Sequence, residues 1–396
     1  MFSHLERFAG DPILGINSLF QSDSRTDKVN LSIGIYLDEE GRVPLLASVH
    51  EAERRLLERR AGKPYLPIEG TPSMRAATAK LLFGEDSAAL RKERVATVQT
   101  VGSSGALKIA TEFLKRWLPD SQAWVSAPTW ENHRSILEGS GIPVHTYPYF
   151  DASTGGLDFA GMMGVLEKLP ARSIVVIHGC CHNPTGVDLS QQQWEQLIAL
   201  LSRRELLPLV DLAYQGFARG LDDDAQPLRA MAEAGVPALV ASSFSKNMSI
   251  YGERAGALSV ICEKSSDTEL VLGQLQAIIR RNWSNPPMHA NRIVNEVLGD
   301  PSLYSLWVSE VAQMRNRIQA MRTLLQCELR RLNPSLSFDY LTSQLGMFSY
   351  TGLTAAQVQH LRDDTGVYLV GSGRICVAAL NSNNVSYVAQ AITSVL

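Results

Sequence analysis

The chain has 396 residues, enough for two domains of ordinary size or for one large and one small. Hydrophobic residues make up 45% and charged ones 19%; the net charge is −3 and Lys and Arg are scattered, so no basic stripe would track nucleic-acid phosphates. The apolar runs are too short for a membrane span, Met1–Ile13 lacks the basic start and apolar stretch of a signal peptide, and the five cysteines are an odd set for a disulfide framework, so a reduced, cytoplasmic setting is expected.

In chain order, Asp11–Phe20 reads as a short helix and Val29–Tyr36 as an extended stretch. Two periods then alternate. The β-rich runs Val95–Thr100, Ala123–Ser126, Ser173–His178, Leu207–Asp211, Ala238–Ser243 and Ala257–Cys262 read as strands. Between them, Ala106–Trp117, Leu157–Leu169, Leu189–Arg204 and Pro227–Ala234 carry helical patterns. Such alternation implies a mostly parallel sheet covered on both faces. From Pro301 to Leu332, residues Leu306, Val311, Met314, Ile318, Met321 and Leu325 recur at helical spacing and predict one long helix. A smaller α+β piece is expected from Phe338 to Leu396. The expected domains are 1–45 (an N-terminal arm and part of a small domain), 46–312 (large) and 313–396 (small). Cys262, Cys327 and Cys376 lie in apolar patterns and read as core.

Ligands in open α/β sheets bind at the carboxyl ends of strands. There the run Leu207–Val210 ends in Asp211, with Tyr214 just beyond, and Ala238–Ala241 ends in Ser242-Ser243-Phe244-Ser245-Lys246, with Glu253-Arg254 following. A single lysine or carboxylate at a strand end is usually structural; an Asp, a Tyr, a Ser, a Lys and an Arg at adjacent ends match the needs of pyridoxal-phosphate chemistry. That chemistry uses a lysine able to lose its proton, a carboxylate to keep the pyridine nitrogen protonated, a phenol for the ring oxygen, and hydroxyls, an Arg and a helix N-terminus for the phosphate. The loop Val101-Gly102-Ser103-Ser104-Gly105 before the helix from Ala106 would supply the last of these, although alone it reads as a plain Gly-Ser turn. A competing constellation is His178-Gly179-Cys180-Cys181-His182, where an extended backbone would point His178, Cys180 and His182 the same way. No second ligand pair stands at zinc-site spacing, and no metal is expected.

The motifs Ser243-Phe244-Ser245-Lys246, Tyr251-Gly252-Glu253-Arg254, Asp211-Leu212-Ala213-Tyr214-Gln215-Gly216-Phe217 and His182-Asn183-Pro184-Thr185-Gly186 resemble the class I aminotransferases, a family that includes aspartate and aromatic-amino-acid enzymes. The resemblance runs from Asp11-Pro12-Ile13-Leu14 to Ser372-Gly373-Arg374. It implies the fold type I of pyridoxal-phosphate-dependent transferases: a large domain with a mostly parallel seven-stranded sheet flanked by helices, a smaller α+β domain, and a homodimer with shared active sites. It further implies Lys246 as the covalent cofactor lysine and proton shuttle, and Asp211 as the pyridinium partner, supported by His133 and His178. Tyr214 and Asn183 would bond the ring oxygen and Trp130 would stack on the ring. Ser103, Ser104, Ser243 and Arg254 would hold the phosphate, joined by Tyr65 of the partner subunit. Arg374 would grip the substrate α-carboxylate, helped by Asn183, Trp130 and the Gly34 backbone. Arg280, rather than the adjacent Arg281, would cross from the other subunit to a side-chain carboxylate, with Ser284 and Asn285 beside it.

Leu37, Val43 and Pro64 stand where aspartate-preferring relatives tend to be polar, and Ser104 is smaller than their usual threonine; these replacements favour an aromatic side chain. Asn285 departs from that pattern, since some aromatic enzymes have serine there. The expected reaction is transamination between tyrosine or phenylalanine and 2-oxoglutarate, with aspartate as the alternative amino donor. Another pyridoxal-phosphate reaction would use the same Lys246 and Asp211 but gives less reason for two substrate arginines. A cofactor-sensing regulator would need a DNA-binding appendage, for which no residues remain.

Overall fold

The computed structural model describes residues 2, 4–6, 10 and 12–396. The first helix is Pro12–Ser22, so Asp11, the expected start, lies outside the described residues. The chain divides into two compact units, residues 44–316 and residues 1–43 with 317–396.

The larger unit is built on seven strands: β1 (Val95–Val101), β2 (Ala123–Ala127), β3 (Val144–Pro148), β4 (Ile174–His178), β5 (Leu207–Leu212), β6 (Ala238–Ser243) and β7 (Ala255–Ile261). Their spatial order is β1-β7-β6-β5-β4-β2-β3. All neighbours are parallel except β7, which runs antiparallel to both β1 and β6. The central strands β4, β5 and β6 are almost wholly buried, as continuous apolar runs covered on both faces require. The helix α1 (Gly102–Trp117) packs Leu107, Ile109, Ala110 and Leu114 against Val98, Val125 and Val176 of the sheet, with Leu275, Ile278 and Ile279 of a later helix joining the same core.

In the larger unit, three expectations from the sequence need correction. The strand β3 is an addition; its residues Val-His-Thr-Tyr-Pro show no apolar run, because it is an edge strand with His145 and Thr146 in solvent. The helix expected from Ala106 starts at Gly102, since a positive φ of 71° at that glycine turns the chain directly out of β1. The helix expected from Pro227 begins at Leu221, with Asp222, Asp223 and Asp224 in its first turn; the acidic triplet, favoured at the positive end of the helix dipole, is the true start signal, and Pro227 lies inside.

The smaller unit holds two short ladders. Val29–Asn30 pairs in parallel with Val367–Tyr368, so only the first residues of the expected extended stretch join a strand. Phe348–Tyr350 pairs antiparallel with Arg374–Cys376, and Tyr350 stands opposite Arg374. The long helix α2 (Pro301–Leu332) has the predicted bounds and contributes its second half to this unit. Cys262 and Cys376 are buried, but Cys327 is exposed: two residues past the buried Leu325, it falls on the outward face of α2.

Candidate active site

Parallel strands end together, and the residues singled out on β5 and β6 meet at that edge. Register places His178 beside Asp211 and Leu212 beside Ser242. Asp211 is buried; one carboxylate oxygen, Oδ2, lies 3.0 Å from His133 Nε2. A carboxylate can only accept, so Nε2 carries the proton, and His133 Nδ1 then accepts from the Thr129 hydroxyl at 2.8 Å. The His178 ring packs 5.0 Å from that of His133. Burial, together with His182 and His133, holds His178 well below its usual pKa, so it stays neutral beside the acid. For Asp211, burial opposes ionisation, but the His133 hydrogen bond and the nearby Lys246 more than offset it and the carboxyl titrates below its usual value. Its other oxygen, Oδ1, is buried with no hydrogen-bond partner. An ionised, buried carboxylate oxygen left without a donor costs roughly 1–3 kcal/mol or more. A protonated ring nitrogen would be a fitting donor for this atom.

Lys246, one turn beyond β6, places Nζ 4.7 Å from the centre of the Tyr214 ring. Burial and the cationic Arg254 depress its pKa to about 8, against the opposing pull of Asp211. The free amine that attacks an aldehyde is therefore available from about pH 8, well below the usual range of a lysine. Asn247, the next residue, donates from Nδ2 to Gln215 O at 3.2 Å, and its own carbonyl accepts the Trp307 indole N–H at 2.7 Å. The first bond ties the lysine turn to the segment carrying Tyr214, and the second ties it to α2.

The anion cradle is built around α1. Arg254 sits in a left-handed conformation after a single 3₁₀ turn, and its Nη1 donates to Ser245 Oγ at 3.3 Å and Tyr251 O at 3.1 Å. The guanidinium lies against the N-terminus of α1 so closely that a Cβ at Gly102 would stand 2.5 Å from Nη2. Ser103 and Ser104 follow in the first turn of that helix, and Ser243 Oγ accepts the Ser245 amide at 3.1 Å. Free helix amides, hydroxyls and an arginine converge, which is the donor set a phosphate needs. Trp130, at the start of the helix Glu131–Gly139, meets His133 edge to face at 5.3 Å, and Asn183 is buried in the turn after β4. Asp211 Oδ1, the depressed Lys246 and the Gly102–Arg254 cradle together fit pyridoxal phosphate. The sequence alone assigns no role to Ser245, Thr129 or Asn247. Only Ser245 carries a signal there, a second hydroxyl two residues after Ser243 on a strand end.

The remaining predicted residues stand elsewhere. Tyr65 is 91% exposed, and Arg280 is exposed at the end of the helix Ser265–Asn282, bonded to Ser284. Ser284 in turn bonds Asn285 Oδ1 at 2.9 Å, and Asn285 donates to Leu66 O at 2.8 Å. In the smaller unit, Arg374 is buried, donates to Ser32 O at 2.5 Å and lies 4.4 Å from the centre of the Phe348 ring. That ring covers Gly34, where a Cβ would meet it at 2.8 Å.

The cysteine-histidine stretch does not form the arrangement an extended chain would give. Cys181 has φ +52°, and Asp188 accepts the amides of Cys181 and His182 at 2.7 and 2.8 Å, so the segment is a tight turn. His182 bonds Ser126 and Thr185, and the Asp224 carboxylate near Cys180 and Cys181 already accepts the amides of Gly216, Ala218 and Arg219. These groups serve the backbone around the site.

Comparison with known proteins agrees with this geometry. Residues 26–392 match the family model for aminotransferase class I and II. The chain is 53% identical to the aromatic-amino-acid aminotransferase of Escherichia coli K12, with 100% of both chains covered. It is 47% identical to the aspartate aminotransferase of Pseudomonas aeruginosa, again over the whole of both. Among solved structures, an aromatic-amino-acid aminotransferase from Burkholderia pseudomallei, covalently bound to pyridoxal phosphate, superposes with a TM-score of 0.98 at 46% identity, covering 100% of this chain and 99% of that one. The chain belongs to the class I and II aminotransferases, enzymes that carry out transamination with pyridoxal phosphate.

Proposed function

We propose that this aminotransferase exchanges the amino group of tyrosine or phenylalanine with 2-oxoglutarate, in two successive half-reactions on one site. The observation that carries the chemistry is the Asp211 oxygen buried without a donor, close to an amine whose pKa lies near 8. Pyridoxal phosphate, when bound, supplies an aldehyde to receive the amino group and a protonated ring to draw electrons from the substrate Cα. Asp211 holds the ring proton, with His133 and Thr129 fixing the carboxylate. Ser103, Ser104, Ser243, Arg254 and the amides at the start of α1 bind the phosphate. Lys246 would hold the cofactor covalently, give way to the substrate's amino group and take the proton from the substrate Cα. Tyr214 and Asn183 hold the ring oxygen, and Trp130 covers the ring face. Arg374 pairs with the α-carboxylate through its planar fork, with Asn183, Trp130 and the Gly34 backbone supporting the substrate.

The chain acts as a homodimer in this reading, each subunit lending Tyr65 to the other's phosphate and Arg280 to a dicarboxylate side chain. The exposure of both residues supports that role. The protein works in the cytoplasm. Aromatic preference is supported by apolar Leu37, Val43 and Pro64, by Ser104, and by the names of similar proteins. Aspartate is the second amino donor, favoured by Arg280 and Asn285 and by the similar aspartate aminotransferase. The kcat/KM profile for Phe, Tyr and Asp with 2-oxoglutarate ranks them. In Arg280→Leu, kcat/KM for aspartate and for 2-oxoglutarate should fall about 10²-fold or more, while kcat/KM for phenylalanine, which reports its own half-reaction, changes far less. Equal losses for all three would exclude a dedicated role for Arg280.

A further inference from the structure

The smaller unit contains a buried arginine that the transamination chemistry does not use. Arg322 lies on α2, is 2% exposed, and spreads its guanidinium over the segment 341–349. Nη1 donates to Leu341 O at 2.9 Å and Ser349 Oγ at 2.6 Å; Nη2 approaches Leu345 O at 3.3 Å, Gly346 O at 2.8 Å and Phe348 O at 2.5 Å. Four backbone carbonyls and a hydroxyl thus converge on one side chain. The bonds reach the start of the strand Phe348–Tyr350, and two routes lead from there to Arg374. One is the ladder, in which Tyr350 pairs with Arg374. The other is the Phe348 ring, which lies against the Arg374 guanidinium and over Gly34.

We infer that Arg322 is a positioning residue for substrate-carboxylate recognition: it fixes Phe348 and its strand, and through them the orientation of Arg374. This rests on the reading of Arg374 as the α-carboxylate partner. Arginine suits the task because its planar fork offers several donors in fixed directions, whereas a lysine ammonium has three tetrahedral ones and cannot satisfy this spread of carbonyls. Since the α-carboxylate is common to every substrate, the effect of loosening Arg374 must be the same for all of them.

The test compares Arg322→Met, Arg322→Lys and Arg374→Lys in the holoenzyme. KM and kcat are measured for phenylalanine, aspartate and 2-oxoglutarate, and the dissociation constant of the non-reacting probe 3-phenylpropionate is followed by cofactor absorbance. For Arg322→Met, KM and the probe dissociation constant should rise by a common factor of about ten, kcat should change little, and the cofactor spectrum without substrate should be unaltered; Arg322→Lys should recover part of the loss. Thermal unfolding is recorded alongside. A lowered Tm with unchanged KM and probe affinity would make Arg322 merely structural and overturn the inference, as would a KM rise confined to one substrate. If Arg374→Lys itself left KM and probe affinity unchanged, the α-carboxylate reading would fall first, and the inference with it. If Arg322→Met does not fold, Arg322→Lys is measured in its place: a common rise in KM and probe dissociation constant supports the inference, and unchanged values overturn it.

Discussion

Lys246 needs an uncharged amine to react, and its surroundings set the pH at which that amine appears. Burial and Arg254 lower its pKa to about 8, so below that pH the ammonium dominates and above it the free amine does. The rate at which cofactor-free protein takes up pyridoxal phosphate, followed by absorbance, should therefore climb about tenfold per pH unit below 8 and level off above it. Replacing Arg254 by Met should move that inflection upward, because a cation that disfavours the ammonium is gone. At Asp211 the charge matters more than the shape. Asp211→Asn keeps the volume and the contact to His133 but removes the anion that holds the ring proton, and kcat should fall by roughly 10²–10³-fold, the scale on which a preorganised electrostatic partner acts. A drop of less than threefold in steady-state turnover would show that the ring proton is not held there. These residues are legible in the sequence because the chemistry needs each type at a strand end. Thr129 and Asn247 are not legible, since their roles are contacts: one fixes a histidine tautomer from four residues away, the other bridges two strand ends.

At the scale of elements, the turn from β1 into α1 is the most exacting piece of the site. Gly102 has φ +71°, and any Cβ there would stand 2.5 Å from the Arg254 guanidinium. Gly256, on the neighbouring strand, has no room either: its Cβ would meet the Gly102 carbonyl carbon at 2.5 Å. Gly102→Ala should cost about 1–2 kcal/mol in backbone conformation alone and should also push Arg254 away from the helix amides. Weaker retention of the cofactor follows, read as faster loss of its absorbance on gel filtration, with aromatic and dicarboxylate turnover falling together unless excess pyridoxal phosphate is supplied. Unchanged retention would mean that this turn does not bind the phosphate. The strands β4, β5 and β6 are plain in the sequence because buried parallel strands must be apolar throughout, and α2 is plain because its stripe of Val311, Met314, Ile318 and Leu325 is regular. The edge strand β3 leaves no such mark. Gly102–Gly105 has the composition of a loop because glycine and serine favour turns; the structure makes these residues a helical turn because the positive φ at Gly102 takes the chain straight from β1 into the helix, and small residues leave space for an anion. The turn at Cys181 is equally hidden, since its positive φ is held by the carboxylate of Asp188 seven residues later.

For the whole molecule, the proposed dimer gives each active site residues from two chains, and this can be tested by mixing inactive proteins. Lys246→Ala removes the covalent lysine from its own site, while Arg280→Leu removes the arginine lent to the other subunit. Each homodimer alone should be nearly inactive toward a dicarboxylate pair, the first for want of chemistry and the second for want of the side-chain anchor. Unfolding and refolding an equal mixture produces hybrids in which one site inherits both defects and the other inherits neither. With random pairing half the dimers are hybrid and one of their two sites works, so the mixture should recover about one quarter of the wild-type rate with aspartate and 2-oxoglutarate. A chain that used its own Arg280 would give no recovery, because every site would then lack either the lysine or the arginine. The same mixing with Tyr65→Phe in place of Arg280→Leu isolates the phosphate contact: the hybrid's intact site should retain its cofactor as firmly as the wild type. Tyr65 is 91% exposed and Arg280 is also in solvent, each on a segment held by Asn285 and Leu66, so both are presented outward from the chain that carries them. Exposure alone costs a tyrosine ring the burial that would otherwise stabilise it by roughly 1.5–3 kcal/mol, and a second subunit closing over it would restore that contribution. Recovery on mixing is the measurement that turns this exposure from a surface feature into a shared site.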